Sequence, residues 1–544
     1  MVAFEEILRT IGEFGLFQKL LTFGLTLPNF LIPIFFCSFL FIESDPERHC
    51  STDWILKADP NLTTDEQLNL TLPREEDGTF SRCQMFVPVD WDIGAIREYG
   101  LNETTGCNNG WVYSKTLYDA TIVTDFDLVC DKSTMVEVVQ TVFLFGALVG
   151  SFIFGPIAES YGRRRTVQLP VVLSLISAIV AGVAPNFYIY IVSQFIAAIG
   201  LSGYRINSVV LATEWIGVSQ RSFAPCLAQM SAALGQCATA GLVYAIRDWR
   251  IAQYVLAGGQ AIVLLYIWWI PESARWLLGQ GRTEEAHKFI HRVATFNKKK
   301  IPENLLEDVS QVTGEQQVHR GGIKSIFTSK VLVKYLFIVS FAWFSVNLGG
   351  FCLSLNVGKF GLSIFLVQLL FGVSEIPAHL LCIWVLELIG RKKSLISILL
   401  TGGFVCLLTV AFPQDSTVAI TVLVTTGRLF FNWAGSVCVL YIQELFPTSV
   451  RQTAVGLGSI AFRVAGLLSP SLNMLATYYW FLPNIVFSSL VVVSGALVFL
   501  LPETCNKVLP DSTAESEGNR NLTTKKAGSD FNVDEHNSSK STKL

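Results

Sequence analysis

Twelve apolar segments of about twenty residues dominate the chain and restrict what it can fold into. Inside a bilayer, backbone N–H and C=O groups are satisfied only within helices or closed barrels, and segments of this length are typical of membrane-spanning helices. The segments occupy residues 16–41, 136–157, 166–184, 187–213, 223–245, 251–270, 333–355, 362–386, 394–412, 418–442, 453–478 and 481–501. The sequence therefore predicts an all-α membrane protein with twelve transmembrane helices.

Composition and motif content exclude several classes of function. Hydrophobic residues make up 51% of the chain and charged residues 15%, whereas soluble proteins carry about 25% charged residues. A net charge of −3 argues against a nucleic-acid partner. The chain has no Walker A loop, no Cys/His metal cluster and no catalytic triad. We therefore expect no enzyme, no cofactor and no direct use of ATP.

The apolar segments fall into two sets of six, which suggests the domain organisation. We expect a first six-helix bundle over 1–271, which includes a large polar loop over 43–134, and a second bundle over 333–503. The linker over 272–332 has amphipathic stretches, which are typical of helices that lie at a membrane surface. The tail over 504–544 is rich in Ser, Asn and Lys, and its composition predicts disorder.

The large loop over 43–134 combines cysteines with glycosylation acceptors. Its cysteines are Cys50, Cys83, Cys107 and Cys130. Its Asn-x-Thr acceptors are Asn61, Asn69 and Asn102. Both features indicate an oxidising, extracellular environment with two disulfides and attached glycans. Four cysteines allow three pairings, and the sequence does not choose among them.

Basic residues accumulate on one side of the predicted bundles. They are Arg163, Arg164, Arg165, Arg221, Arg391, Lys392, Lys393 and Arg451. The positive-inside rule places this side, both termini and the central linker in the cytoplasm. The loop over 43–134 is then extracellular, as its acceptors require.

Three short motifs recur in the same order in the two halves, and their offsets lie between 228 and 231 residues. The motif pairs are Glu159-x2-Gly162-Arg163-Arg164 with Glu387-x2-Gly390-Arg391-Lys392, Glu214-x6-Arg221 with Glu444-x6-Arg451, and Pro271-Glu272-Ser273 with Pro502-Glu503-Thr504. Repeats of six helices are common in secondary transporters, whose substrate site lies near the midplane between the repeats. The sequence therefore predicts a transporter with a central site.

These motifs carry a resemblance to a known family. The run Gly155-x3-Glu159-x2-Gly162-Arg163-Arg164 resembles the signature between helices 2 and 3 of the major facilitator superfamily. Further motifs look like those of the organic-ion transporter family: Asp127-Leu128-Val129-Cys130, Thr213-Glu214-Trp215, Pro271-Glu272-Ser273-Ala274-Arg275-Trp276-Leu277-Leu278, Glu444-Leu445-Phe446-Pro447-Thr448 and Arg451-Gln452-Thr453.

Two other stretches resemble the organic-anion branch of that family, in particular its nicotinate/urate-exchanger type. They are Leu353-Ser354-Leu355 with Gln368-Leu369-Leu370-Phe371-Gly372, and Ala240-Gly241-Leu242-x-Tyr244. The resemblance implies a multi-pass plasma-membrane carrier that works by alternating access. Its substrates would be small organic anions such as nicotinate or urate, exchanged for an intracellular counter-anion.

The repeated motifs place carboxylates and basic residues at the cytoplasmic ends of helices. We expect Glu159 to pair with Arg163, and Glu214 with Arg221, as latches that break when the inner gate opens. Their counterparts in the second half are Glu387, Arg391, Glu444 and Arg451. The alternative is that these residues only anchor helix ends at the headgroups. The family signature has Asp-Arg where this chain has Glu159-Ser160, which weakens the case for the first latch.

Three basic residues lie deep within apolar segments and are candidates for binding an anion. Arg463 is twelve positions past Arg451, about 18 Å along a helix, and the resemblance implies that anion carriers have Arg at this position. His379 stands where such carriers often have Lys or Arg, and its imidazole would make the site pH-sensitive. The alternative for His379 is a neutral ring hydrogen-bonded to Glu375. Arg205 is either a ligand or a partner of Glu214.

Aromatic and amide side chains are candidates for the rest of the binding site. Planar aromatic acids bind in concave sites with stacking walls and a few polar anchors. The candidates are Phe351, Phe431, Trp433, Asn29 and Gln229. For each aromatic ring the alternative is packing or lipid contact. Where some relatives carry aromatic rings this chain has Gly350 and Gly435, which predicts a wider cavity.

Two rival functions remain open at this point. The first is a carrier of organic cations or zwitterions such as carnitine, which Glu375 favours and Arg463 disfavours. The second is a scaffold or receptor without transport, whose working part is the tail. The chain ends in Ser541-Thr542-Lys543-Leu544, a pattern that PDZ domains bind, and a PDZ protein is therefore a candidate partner.

Overall fold

The computed structural model describes residues 2–35, 46–75, 78–116, 118–217, 223–302, 323–356, 363–413, 416–446 and 451–504. The helices are α1 (Val2–Ile11), α2 (Leu16–Thr26), α3 (Ile32–Phe35), α4 (Thr64–Thr71), α5 (Ile93–Tyr99), α6 (Ile122–Asp125), α7 (Met135–Tyr161), α8 (Arg163–Gly182), α9 (Phe187–Trp215), α10 (Phe223–Ala245), α11 (Trp249–Ile267), α12 (Ala274–Gly279), α13 (Thr283–Phe296), α14 (Ile323–Thr328), α15 (Lys330–Leu355), α16 (Ile364–Ile389), α17 (Arg391–Leu408), α18 (Thr417–Leu445), α19 (Arg451–Met474) and α20 (Leu482–Val498). Short 3-10 turns occupy Leu27–Leu31, Asp53–Lys57, Cys130–Lys132, Thr409–Ala411 and Leu475–Thr477.

The expected all-α membrane fold is confirmed. Each predicted apolar segment after the first coincides with a long helix. Within the described residues, eight helices are long and apolar enough to cross a bilayer, and α16 and α20 carry shorter apolar stretches. The predicted disorder of the tail falls on residues 505–544, outside the described part of the chain.

The first apolar segment differs from the expected single span because it is broken. Its described part consists of α2, a 3-10 turn and α3. Pro28 has no N–H, so the carbonyl of Gly24 loses its helical partner, and this carbonyl accepts a hydrogen bond from Tyr266 Oη at 2.9 Å. The carbonyl of Leu25 accepts one from Tyr204 Oη at 2.8 Å. Two tyrosines from neighbouring helices therefore satisfy the backbone at the break.

The two bundles pack internally and also contact each other. In the first bundle α9 packs against α7 and α8, and in the second α15 packs against α19 and α18. Between the bundles α10 packs on α16, and α7 packs on α19. The approach is closest at Gly372, where a Cβ would lie 2.6 Å from Cys237 Sγ. Only glycine allows α16 to lie this close to α10.

The loop between α3 and α7 folds into a small domain held by disulfides. Strand β1 (Arg48–Cys50) pairs with β4 (Trp111–Tyr113), and β2 (Gln84–Phe86) pairs with β3 (Thr104–Gly106), both antiparallel. Of the three pairings left open by the sequence, the structure has Cys50–Cys107 and Cys83–Cys130. The second disulfide fixes the domain close to the start of α7.

Further contacts attach this loop domain to the first bundle. Asp125 accepts hydrogen bonds from Trp249 Nε1 and Arg250 Nε, each at 3.1 Å. The backbone N–H of Asp119 donates to the carbonyl of Arg247 at 3.0 Å. We call the end of the bundles nearest this domain the loop end, and the opposite end, which carries Arg163 and Arg391, the motif end.

The linker helices and α1 pack on the motif end of the first bundle. In α13 the residues Ala286, Ile290 and Val293 are buried, as the amphipathic pattern predicts. The helix α1 was not expected from the sequence, yet it buries its apolar face in the same cluster. Asn297 joins these parts, since its side chain accepts from the N–H of Phe17 at 3.0 Å and donates to Gln18 and to the α1 carbonyl of Ile11.

Candidate functional site

The three deep basic residues predicted from the sequence converge between the bundles. Arg205 comes from α9 of the first bundle, whereas His379 (α16) and Arg463 (α19) come from the second. Arg205 lies within electrostatic range of Glu375, His379 and Arg463. The two halves therefore contribute to one charged central site.

Glu375 is the carboxylate of this site, and its partners were not predicted. Its Oε1 accepts hydrogen bonds from Arg428 Nη2 at 3.0 Å and from Asn432 Nδ2 at 2.6 Å. The guanidinium of Arg428 also lies over the Phe371 ring, 4.1 Å from its centroid. Because Arg428 and Glu375 are both largely buried, the pair forms a neutral unit inside the second bundle.

Arg428 could have been found by the rule that identified Arg463. It lies ten positions inside the apolar segment over 418–442, where a charged side chain is costly and requires a partner. Its Nε and Nη1 atoms are buried without a hydrogen-bond partner among the described residues.

His379 does not bind Glu375, and this alternative was wrong. Its Nδ1 lies 3.4 Å from Ser436 Oγ, and the roles of donor and acceptor depend on the tautomer. The hydrogen bonds of Glu375 go to α18 instead, because Arg428 offers an opposite charge that a neutral ring lacks.

Arg463 is the most available positive charge at the site. Its guanidinium lies 5.2 Å from the centroid of the Phe462 ring and makes no hydrogen bond or ion pair within the described part of the chain. Arg205 makes one long hydrogen bond, 3.5 Å to Gln229 Oε1. The other partner considered for Arg205 was Glu214, which binds Arg163. Among the described residues neither guanidinium forms an ion pair with a carboxylate, although Glu375 lies within electrostatic range of Arg205.

Aromatic and glycine residues shape the wall around Arg463. The Phe351 ring packs on Phe462 with centroids 5.6 Å apart and covers Gly466. Gly350 and Gly435 face open space, since a Cβ at either position would meet no atom within 4 Å.

The structure places the other predicted binding residues in varied surroundings. Phe431 is 2% exposed and packs against Phe487 inside the second bundle, so no ligand can reach it in this conformation. Trp433 stacks on Phe430. Asn29 is buried and donates to the carbonyl of Thr26 in the broken first segment. Gln229 lies beside Arg205.

Ion pairs at the motif end form within each bundle, with partners that differ from those expected. Arg163 pairs with Glu214 at 3.3 Å, and Arg391 pairs with Glu444 at 3.2 Å. Each pair joins the start of one helix to the end of the next helix, because these helix termini are adjacent at the same end of the bundle. The side chains of the other predicted gate residues lie outside the described part of the chain: Glu159, Arg221, Glu387 and Arg451.

Glu272 and Glu503 have a role that the repeated motif did not reveal. Glu272 Oε1 accepts from the backbone N–H groups of Arg163 at 2.8 Å and Arg164 at 3.0 Å, which lie at the start of α8. Glu503 Oε1 accepts from the N–H of Arg391 at 2.9 Å in the second bundle. A carboxylate at a helix N-terminus satisfies unpaired N–H groups and opposes the helix dipole. Burial nevertheless raises the pKa of Glu272 above its ordinary value, although these backbone hydrogen bonds lower it.

Comparison with known proteins gives consistent results. Residues 89–513 match the sugar (and other) transporter family. Human solute carrier family 22 member 13 is 36% identical over 519 residues, which cover 95% of this chain and 94% of the relative. Solute carrier family 22 member 6-B of Xenopus laevis is 31% identical, with 95% of each chain covered. The inward-open xylose transporter XylE of E. coli shares the fold, with a TM-score of 0.58, 18% identity and coverage of 73% of this chain and 93% of XylE.

Proposed function

The chain belongs to the sugar (and other) transporter family and, within it, to solute carrier family 22, and on this premise we propose that it carries small organic anions across the plasma membrane. Membership makes the protein a membrane transporter of organic ions and not an enzyme. What we propose beyond membership is that the substrate is an anion, that transport is an exchange, and that the protein lies in the plasma membrane.

The unpaired guanidinium of Arg463 is the observation that carries the choice of an anion. A central arginine costs about 2.5–3.5 kcal/mol to place in a bilayer even on the lenient insertion scale, so it requires a partner during part of the transport cycle. Another arginine, Arg205, lies within electrostatic range of Arg463 and repels it. A substrate carboxylate between the two relieves this repulsion and forms charge-assisted hydrogen bonds.

The rival cation carrier loses its main support. Glu375 was the reason to consider a cation, but its carboxylate already accepts hydrogen bonds from Arg428 and Asn432. A cation near this carboxylate would be repelled by Arg428, which is itself buried. The remaining charge that faces the cavity comes from Arg205 and Arg463, and it is positive.

Planar monocarboxylates such as nicotinate, or urate, fit this arrangement. The carboxylate or anionic oxygen binds Arg463, while the ring lies along the wall formed by Phe351 and Phe462. The open space at Gly350 and Gly435 leaves room for the ring. An intracellular carboxylate uses the same arginines on the return step, so the carrier works as an exchanger.

Alternating access follows from the duplicated architecture. The bundles meet at the loop end through α10 and α16, while the ion pairs of the motif end lie within each bundle. Rocking of the first bundle against the second exposes the central site to either side. In this proposal the motif end and both termini are cytoplasmic. The loop domain is extracellular and carries glycans on the exposed Asn61, Asn69 and Asn102.

Uptake measurements test the proposed function. Cells that express the protein are given labelled nicotinate, urate and the cation tetraethylammonium, and the Arg463→Ala variant is compared at equal surface expression. We expect anion uptake in the wild type and background uptake in Arg463→Ala, because the substrate loses its charge partner. Arg97→Ala, which removes an exposed loop arginine, serves as the control and keeps full uptake.

Two outcomes overturn the proposal. Uptake of the cation alone contradicts the anionic substrate, and anion uptake that is indifferent to Arg463→Ala removes the residue from the site. The rival scaffold is tested by thermal stability, since a scaffold without a transport site shows no nicotinate- or urate-induced rise in melting temperature. The PDZ-binding ending lies outside the described residues and stays a prediction.

A further inference from the structure

A second pocket lies on the outer face of the first bundle at the motif end, separate from the central site. It has a volume of about 440 Å³ and is formed by the ends of α7 and α11, the start of α8, and the linker helices α12 and α13. The residues that matter for its chemistry are Tyr161, Arg164, Arg165, Trp268, Trp276 and Arg282.

The balance of charge in this pocket favours an anion. Two carboxylates line it, but Glu272 is occupied by backbone N–H groups, and Glu285 is held by Arg282 at 2.6 Å. Arg164 donates through Nη2 to the carbonyl of Trp268, and its Nε is buried with no hydrogen-bond partner among the described residues. Arg165 is exposed and forms no hydrogen bond or ion pair with any described residue.

The surroundings place the pocket at the level of lipid headgroups. Trp269 is 87% exposed and Leu265, one turn earlier on α11, is 76% exposed. On α8 the exposed Leu169 and Ile176 follow Arg165 at helical spacing and share its face. Large exposed apolar residues on a membrane helix contact acyl chains, and tryptophans mark the interface. Arg164 and Arg165 therefore lie next to an apolar surface of α8 and α11 that lipid acyl chains cover.

We propose that this pocket binds the phosphate-bearing headgroup of an anionic phospholipid whose acyl chains lie along α8 and α11. Arginine binds phosphate through several N–H groups at once, and the indole rings at the rim bury the glycerol region. Lys288 and Arg292 of α13 line an adjoining smaller pocket and extend the positive surface. The bound lipid then connects the linker helices to α8 and α11. This inference goes beyond the proposed transport function and does not depend on it.

Native mass spectrometry of the purified full-length protein tests the lipid site. Phosphatidylserine and phosphatidylcholine are titrated separately, and the apparent dissociation constant of the first bound lipid is measured. We expect phosphatidylserine to bind more tightly. Arg165→Gln should weaken its binding about fivefold, since each basic residue near anionic lipid contributes about that factor. Arg165→Lys keeps a positive charge and should retain most of the affinity.

Lys393→Gln provides a matched control. Lys393 is the exposed counterpart of Arg165 in the second repeat, and its substitution should leave phosphatidylserine binding unchanged. Equal binding of the two lipids, or equal loss in Arg165→Gln and Lys393→Gln, overturns the proposal. Inorganic phosphate and glycerophosphoserine are tested in parallel. If either displaces the lipid at equal concentration, the pocket binds soluble phosphate and the acyl chains have no part. None of these readouts involves transport, so failure here leaves the transport proposal intact.

Discussion

At the scale of single residues, Glu375 decides the charge of the central site. Its carboxylate lies within electrostatic range of Arg205, while Arg428 compensates its charge by a direct ion pair. With Arg428 and Asn432 as donors, Glu375 is satisfied inside the second bundle. The proposed selectivity for anions therefore depends on a buried pair that the substrate does not need to contact.

Breaking this pair should be costly for stability and should change selectivity. We expect Arg428→Gln to destabilise the protein by about 3–5 kcal/mol, because it leaves a buried carboxylate without its cation. Glu375→Gln together with Arg428→Gln should recover much of this loss. The measurement is thermal unfolding of the purified protein.

The exposed pair Arg97–Glu66 gives the matched comparison. Arg97→Gln should cost less than about 1 kcal/mol, since exposed ion pairs contribute little. Equal melting temperatures for Arg428→Gln and Arg97→Gln would contradict a structural role for the buried pair.

At the scale of elements, the start of α8 and the start of α17 are built alike. Each helix follows a glycine with positive φ, +98° at Gly162 and +92° at Gly390. Each also receives a carboxylate on its first N–H groups, from Glu272 or Glu503. The glycine is required twice over, since a Cβ at Gly162 would lie 2.3 Å from Glu272 Oε2. The repeated Pro-Glu motif thus fixes the angle between consecutive helices in both halves.

Gly162→Ala should therefore destabilise the first bundle. The backbone at Gly162, with φ +98° and ψ 160°, lies in a region essentially restricted to glycine and costs an alanine about 1–3 kcal/mol, and displacement of Glu272 adds to this cost. Gly155→Ala is the control, since a Cβ at this position of α7 meets no atom within 4 Å. The melting temperature of Gly162→Ala should fall well below that of Gly155→Ala, and equal values would show that the cap tolerates a side chain.

At the scale of the whole molecule, the contact between α10 and α16 closes the loop end. Gly372 permits this contact, and the rings of Tyr244 and Phe365 pack beside it with centroids 5.5 Å apart. The helix α10 belongs to the first bundle and α16 to the second. Their contact must therefore open whenever the central site faces the loop side. Because the two helices lie so close at Gly372, a larger side chain at this position should disrupt their contact.

Gly372→Val should hold the loop end open and slow transport. The added side chain collides with Cys237 and the backbone of α10, so Cys237 becomes accessible from the loop side. We expect faster modification of Cys237 by a membrane-impermeant maleimide, followed by peptide mass mapping. Gly241→Ala, where a Cβ would meet no atom within 4 Å, should label like the wild type. Unchanged labelling of Cys237 in Gly372→Val would argue against closure through this contact.

Much of this architecture could be predicted from periodicity and repetition. Hydropathy located the helices because backbone N–H and C=O groups in lipid must be hydrogen-bonded within the protein, and a helix does this within one segment. The cost of burying charge singled out Arg205 and Arg463, and the family resemblance predicted that they and His379 lie near one another between the bundles. The same reasoning applied to Arg428, which lies inside an apolar segment, would have found the partner of Glu375.

Other features depend on three-dimensional neighbours that the sequence does not encode locally. The disulfide pairing rests on which strands meet in the loop domain. The partner of Arg163 is Glu214, 51 positions away, because two helix ends are adjacent. Phe431 lies on the core face of α18 although its neighbours in sequence face the cavity region. The break in the first segment follows from Pro28, which the hydropathy pattern does not register.

The attachment of the loop domain to the first bundle has a practical consequence for raising antibodies. Cys83–Cys130 and the contacts of Asp125 make this domain move with the first bundle as one body. A fragment whose epitope lies within the strands β1 and β4 should bind every conformation equally and serve as a fiducial for imaging. The buried Tyr118 contacts the ring of Phe365, so the surface around these two rings joins the loop domain to the second bundle. Fragments against it should recognise only the form closed at the loop end and hold the carrier there.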